Sequence, residues 1–590
     1  MTTRLPVGAL DRADVASSRL PATDRFAALL DRLSASHGRA CAALLVLGLL
    51  LFLPGQASLQ PMDRDEPRFA QASKQMLETG DFVAIRFQDE ARNKKPVGIY
   101  WAQAVAVAAG EALGIPHART QIALYRIPSL LGALGSVLLA YWAALAFLSR
   151  RDAVLAAALY GACLMLNAEA HLAKTDALLA ACATASLGAL ARVWLRRRPL
   201  PSAGEEFQRS AEGGRLVFLA FWLGLAVGIL VKGPMVPLFV ALPALVLSVK
   251  ARSARWLLPL RPWAGLAVTL LIVAPWFVAI TLKSGSAFYA EAVGKDMLGK
   301  VGGAAERHWG PPGAYTIAFF ATFWPGAAFA AMGLPLAWRE RRADAVAFLI
   351  ATVLPAWLIF EAVPTKLPHY VLPLMPWLAI LTILALRRGE LDPHRRGARA
   401  VALLVPAIPV GLTLGLCVAG WRLDDHTIPW VALPVLAAAC LAAAASWLAF
   451  AKGLSERALM LAVLASCFLG PGVLGLAQRQ LPALKVSPRL AAFRDRMPCA
   501  DPQVASLGYR EPSLVFLTGT GLDLLPDAAA AKSFLEQGGC RLLFVEGRER
   551  EAFNTAWPVG RPAPPPLGEV VGFNLNTGRR VTVTAYAAAP

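Results

Sequence analysis

Asp65 and Glu66 stand side by side in the segment Met62-Asp63-Arg64-Asp65-Glu66-Pro67-Arg68-Phe69-Ala70, shortly after the first long apolar stretch of the chain. A carboxylate at such a boundary keeps its hydration cheaply, and it can act as general base toward an acceptor hydroxyl. The plainer alternative is that the pair faces the positive end of a helix beginning at Pro67. Lys94 and Lys95 follow in Asn93-Lys94-Lys95-Pro96. Two adjacent ammonium groups repel unless an anion such as phosphate lies beside them, although attraction to lipid headgroups accounts for them equally well. Four further sites carry ionisable groups: Lys174-Thr175-Asp176 with Glu169 and His171 close by, Lys232-Gly233-Pro234, Lys366-Leu367-Pro368-His369-Tyr370, and His308-Trp309. No His-Glu-x-x-His, P-loop or Gly-rich dinucleotide signature occurs.

The elements that position these residues must lie mostly in lipid. Of 590 residues, 57% are apolar and only 16% charged, with mean hydropathy +0.52. About thirteen apolar runs between residues 40 and 476 approach the length that crosses a hydrocarbon core of roughly 30 Å. Arginine and lysine gather in every second short loop, at Arg150-Arg151, Arg196 to Arg198, Lys250 to Arg261, Arg339 to Arg342, Arg387 to Arg399 and Lys452 to Arg457. By the positive-inside rule these loops are cytoplasmic, as is the N-terminus, and an odd span count puts the C-terminal tail outside. The net charge of +19 is then mainly a topology signal, and nucleic-acid binding is a poor reading of it. Met1 to His37 is too long and polar for a cleavable signal. Lys95, Lys174, Lys232 and Lys366 all fall on the outer side, against that bias, so a shared anionic ligand there becomes plausible.

Three regions follow: a cytoplasmic arm (1–38), disordered or lying on the membrane surface; a membrane region (39–477) with outer loops 55–121 and 283–313; and a polar tail (478–590). The fold class expected is an α-helical polytopic membrane protein with outer-face interfacial helices and a small C-terminal α/β domain. Pro67 to Glu78 reads as a helix lying flat on the membrane and ended by Gly80, and Val97 to Leu113 as an interfacial or shallow re-entrant helix. In the tail, Gln503–Leu507, Ser513–Leu517 and Arg541–Val545 read as strands, Ala528–Gln537 as a helix and 570–586 as a hairpin. Cys499 and Cys540 both lie there, and a disulfide between them is open.

Five ordered strings resemble the motifs of bacterial polyprenyl-phosphate-dependent glycosyltransferases over roughly residues 40–480: Asp65-Glu66-Pro67-Arg68-Phe69-Ala70, Lys95-Pro96-Val97-Gly98-Ile99-Tyr100-Trp101, Lys174-Thr175-Asp176-Ala177-Leu178-Leu179, Val231-Lys232-Gly233-Pro234, and Lys366 to Pro373. The nearest members are the aminoarabinose transferases of lipid A, with protein O-mannosyltransferases further away. The tail around Gly508 to Ser513 also resembles the periplasmic domain of such enzymes.

The resemblance implies a C-type fold and an inverting enzyme of the bacterial inner membrane. Such an enzyme moves a sugar from a polyprenyl-phosphate carrier to lipid A, another envelope glycan or a protein at the periplasmic face. It implies Asp65 as catalytic residue and Lys95 as phosphate ligand. Glu66, Lys174, Asp176, Lys232, His308, Lys366, His369 and Tyr370 are the further substrate-contact candidates. No cofactor is called for, and the need for a divalent metal is open. Relatives often carry an acid before the Lys-Pro pair that helps hold a metal. Lys94 stands there instead, so no metal ligand is assigned. Val97 replaces the family's second Pro, and Ile99-Tyr100 its Tyr-Tyr pair. Hexose, uronic acid and other pentoses are therefore as open as aminoarabinose. The rival reading is a transporter or flippase of polyprenyl-linked sugars.

Overall fold

The computed structural model describes residues 25–588 except Arg64, 197–213, 300–308, Asp425, Ala500 and 559–562. The described residues start with an amphipathic helix, Arg25–Leu33 (α1), bent by 112° from His37–Phe52 (α2). The next helices are Glu66–Thr79 (α3), Gly98–Ala112 (α4), Ile122–Ala144 (α5), Arg150–Gly161 (α6), Leu164–Ala170 (α7) and Asp176–Leu195 (α8). Gly214–Lys232 (α9), Met235–Ala251 (α10), Pro262–Ser284 (α11), Ala314–Thr322 (α12), Ala327–Arg339 (α13) and Asp344–Ala362 (α14) follow. Met375–Arg387 (α15), Leu404–Leu423 (α16), Leu433–Ala451 (α17) and Ser455–Gly470 (α18) complete the bundle.

Among the described residues nine helices are long and apolar enough to cross a membrane, or eleven if two bent pairs each count as one span. The expectation of about thirteen is higher because four runs do not form one straight helix of full length, the first being 40–54, which gives only the 16-residue α2. The run at 153–168 bends by 63° between α6 and α7. The 17-residue α10 is short, and 314–336 breaks between α12 and α13, where Pro325 cannot continue a helix.

α3 is not a surface helix, contrary to the sequence reading. Phe69, Ala72 and Met76 pack with Ile99 and Tyr100 of α4 and with Trp276 of α11, while Ala70 faces Tyr125 and the tail's Phe516. Burial on both faces leaves no side for lipid. Gly80, at φ 72°, closes the helix in the left-handed conformation that glycine adopts without a Cβ clash.

The tail is a five-stranded sheet packed against short helices. Its strands, numbered after the small pair β1 (Arg86–Phe87) and β2 (Glu90–Ala91), are Gln503–Leu507 (β3), Asp523–Leu525 (β4), Arg541–Glu546 (β5), Pro566–Asn574 (β6) and Arg579–Ala587 (β7). They lie in the order β4-β3-β5-β7-β6, the first three parallel and the hairpin β6–β7 antiparallel. The expected strand at Ser513–Leu517 is a helix, Pro512–Thr518, with Pro512 at its first turn. Cys499 and Cys540 are bonded, with Cα atoms 6.4 Å apart, within the usual disulfide range.

That short helix ties the tail to α3. Asp63 accepts from the Ser513 backbone N–H (2.9 Å) and hydroxyl (2.8 Å). Lys74 donates to the Phe516 carbonyl at 3.2 Å, and Gln71 to the Thr520 hydroxyl at 2.7 Å.

Candidate active site

A cavity of about 320 Å³ opens where the first outer loop meets the ends of α8, α9 and α14. Asp65 lies on its wall at the start of α3, its carbonyl accepting the first helical bond from Phe69 at 3.1 Å. The side chain makes no cap bond and is 57% exposed to the cavity. Burial pushes its carboxyl up, but Arg92, Lys174, Arg68 and His369 outweigh that and hold its pKa below the usual carboxylate range. An ionised, solvent-reached carboxylate is the state a general base needs.

Arg92 is the cation that sequence reasoning missed. Its guanidinium is 3.9 Å from the Asp65 carboxylate, lies over the Phe69 ring at 4.7 Å and donates to the Tyr100 hydroxyl at 3.0 Å. It sits one residue before the string singled out for its lysines. Lys95 is ion-paired with Asp296, which comes from the second outer loop, 201 residues away in sequence.

The other cations converge from the opposite wall. Lys174 donates to Glu169 at 3.1 Å. Burial pulls its ammonium down, and Glu169, Asp176 and Asp65 more than reverse this, so the Lys174 pKa is raised. Lys232, at the end of α9, is paired with Asp176 at the start of α8 and lies 4.9 Å from the Tyr370 ring centre. The ring nitrogens of His369 sit 3.7 Å from Glu169 and 3.8 Å from Asp176.

Glu169, Asp176 and His369 thus bring three metal-capable atoms within 4.8 Å of one another, a cluster the sequence reading did not assign. Lys174 and Lys232 already match the two carboxylates, so the cluster has no surplus negative charge for a cation to neutralise. The second oxygen of Glu169 is buried without a hydrogen bond.

Two of the described sequence candidates are engaged by protein groups. Glu66 lines the cavity wall, but its carboxylate turns inward and is spent on protein: it accepts from Arg126 Nε and Nη2 (2.7 and 2.9 Å), Met62 N–H (2.7 Å) and Ala173 N–H (2.7 Å). With all four of its acceptor positions filled, it anchors the loop and is not free to contact a substrate. Lys366 does not line the cavity. Its ammonium caps the end of α14 by donating to the carbonyls of Phe360 (2.8 Å) and Glu361 (2.5 Å), where a cation meets the negative end of the helix. Its neighbours Thr365 and Leu367 line the cavity in its place. His308 lies outside the described residues. Asp65, Lys95, Lys174, Asp176, Lys232, His369 and Tyr370 all line the one cavity.

No family model matches the chain. In sequence it is similar to undecaprenyl phosphate-alpha-4-amino-4-deoxy-L-arabinose arabinosyl transferases. That of Erwinia tasmaniensis is 28% identical over 379 residues, 62% of each chain, and that of Pseudomonas aeruginosa PAO1 is 29% identical over 353 residues, 59% of each chain. The chain therefore matches about six-tenths of these relatives' own length. Over nearly its whole length it has the fold of ArnT from Cupriavidus metallidurans, whose crystal structure was determined bound to undecaprenyl phosphate. The TM-score is 0.66 at 19% identity, over 96% of this chain and 98% of that one. The nine to eleven apolar helices long enough to cross a membrane, arranged in this fold, make this a multi-pass membrane protein.

Proposed function

We propose that this protein is an inverting glycosyltransferase that moves a sugar from a polyprenyl-phosphate carrier to lipid A, another envelope glycan or a protein acceptor. The observation that carries the reading is the single cavity in which an ionised Asp65 faces Lys95, Lys174, Lys232 and Arg92. Asp65 takes the proton of the acceptor hydroxyl, and the resulting oxygen nucleophile bonds to the anomeric carbon. The bond from that carbon to the phosphate oxygen breaks on the opposite face, which inverts the configuration. Lys95 exchanges Asp296 for the phosphate, and the cations hold the negative charge that accumulates on the departing polyprenyl phosphate. Asp176, His369 and Tyr370 orient Lys232 and shape the sugar subsite.

The sequence similarity to transferases that use undecaprenyl-phosphate aminoarabinose supports a polyprenyl-phosphate donor. The basic loops at the opposite ends of the helices support a periplasmic site, a cytoplasmic N-terminus and a periplasmic tail. A flippase is disfavoured because the ionisable groups cluster at helix ends near one face, whereas transporters bind near the midplane.

The test is mass spectrometry of lipid A, envelope glycans and exported proteins from a deletion strain complemented with wild type or Asp65→Asn. A sugar mass restored by wild type and not by the variant is expected. Restoration by Asp65→Asn to wild-type level overturns the base assignment, and no change on deletion overturns the transferase.

A further inference from the structure

A second cavity, of about 590 Å³, runs as a furrow between α10, α12, α13, α14 and α15. Its floor is made of small side chains: Ala330, Ala347 and Ala351 are 2%, 7% and 1% exposed. Leu334, Leu354 and Trp338 rise on its sides and stand 50–70% exposed. Three alanines under taller neighbours leave a slot for a chain of methylenes. Along α14 the slot runs from Ala347 to Trp357, about 15 Å at 1.5 Å per residue, half of a hydrocarbon core roughly 30 Å thick. It is one leaflet deep.

The two ends differ in charge. At one, Lys250 donates to the Arg342 carbonyl at 2.9 Å, and Arg341 donates to the Trp338 carbonyl at 2.7 Å with its guanidinium 4.5 Å above the indole. Neither is ion-paired to a carboxylate among the described residues. Two arginines close to them in sequence or fold are, Arg339 to Glu390 and Arg388 to Glu340. At the other end Thr316 donates to the Glu361 carboxylate at 2.9 Å and Lys366 lies 3.9 Å from it, so this pair leaves that end no net positive charge. The basic end is also far from the candidate active site. Lys232 lies just before α10, and Lys250 is near the far end of that 17-residue helix, about 25 Å away.

We propose that this furrow is a binding site for one anionic phospholipid of the leaflet that the basic loops face. An acyl chain lies along the alanine floor, and the headgroup phosphate sits between Lys250 and Arg341. Trp338 marks the interface depth, where amphipathic rings settle.

The test is native mass spectrometry of the full-length protein in a mild non-ionic detergent, titrated separately with dioleoylphosphatidylglycerol and dioleoylphosphatidylcholine. The first phosphatidylglycerol should bind at a concentration roughly thirtyfold below that for phosphatidylcholine, as two surface cations predict. Lys250→Ala combined with Arg341→Ala should erase the difference and leave phosphatidylcholine binding unchanged. Ala351→Phe, with both cations intact, should weaken the first site for both lipids. Equal retention by the wild type, a preference that survives the double substitution, or a first site untouched by Ala351→Phe would each mean the furrow meets bulk bilayer lipid only, and the proposal falls. The two cations are exposed and far from the core, so the decisive variant does not depend on tolerance of the bulky one.

Discussion

Glu66→Gln should unfold or loosen the first outer loop without touching the reacting groups. Arg126 is fully buried and all five of its N–H donors are spent: Nε on Glu66 at 2.7 Å, Nη1 on the carbonyls of Gln56 and Leu59 at 2.8 Å each, and Nη2 on Gln60 at 3.0 Å and Glu66 at 2.9 Å. A glutamine keeps one acceptor oxygen and turns an NH2 toward groups that only donate, leaving a buried guanidinium without its counter-charge. Breaking a buried pair from one side costs about 3–5 kcal/mol. The Arg126→Met change should cost as much, because it leaves the carboxylate buried. The double variant Glu66→Gln/Arg126→Met removes both charges together and should cost about 2–3 kcal/mol less than the sum of the single changes. Equilibrium unfolding in mixed detergent micelles, followed by tryptophan fluorescence, measures all three. A single-variant cost below about 1 kcal/mol, or strict additivity, would refute the reasoning. Asp65→Asn provides the contrast: it should retain full stability and lose transfer.

Lys95→Ala should weaken binding of the polyprenyl-phosphate donor by about 10- to 150-fold, the worth of one charge-assisted hydrogen bond, as read by competition with undecaprenyl phosphate. Unchanged affinity removes Lys95 from the phosphate site. Burial and the nearby Glu511 push the Asp63 carboxyl from 3.8 up to about 7, against the hydrogen bonds from Ser513. The folded state therefore holds a proton that the unfolded chain releases near pH 4, so the stability of tail docking falls as pH rises from about 4 to about 7 and then levels off. Hydrogen-exchange protection factors for residues 513–522 should drop between pH 5 and pH 7, and Asp63→Asn should flatten that change. Replacing Cys499 and Cys540 by Ser frees a loop spanning 41 residues and should destabilise the tail by about 4 kcal/mol on the chain-entropy estimate, seen as faster proteolysis there and not in the spans.

The membrane region was legible because lipid demands continuous apolar stretches with every backbone group bonded internally. What composition could not show was where a run bends, as between α6 and α7, since the partner helices decide that. The tail's Ser513–Leu517 is too short for its apolar pattern to separate strand from helix. Pro512 was the available signal, and it points to a helical first turn. In the site, Lys174 and Lys232 stood out because each sits at the end of a span where a charge must be accounted for, and Asp65 and Lys95 because each belongs to a pair of like charges in the first outer loop. Glu66 looked like a second copy of Asp65, yet consecutive helical side chains point about 100° apart, and one residue's turn sends it into the core. Asp296 and Arg126 carried no local signal at all, because their importance comes only from where distant segments meet.

Arg126 belongs to α5, a helix long enough to cross the bilayer, and the Glu66 that it clamps is bonded in sequence to Asp65. The depth of the reacting carboxylate below the headgroups is therefore set by how high α5 rides in the membrane, not by the loop that carries it. A thicker or thinner bilayer that shifts or tilts this helix raises or lowers the chemistry with it, relative to any acceptor whose height is fixed by its own anchor.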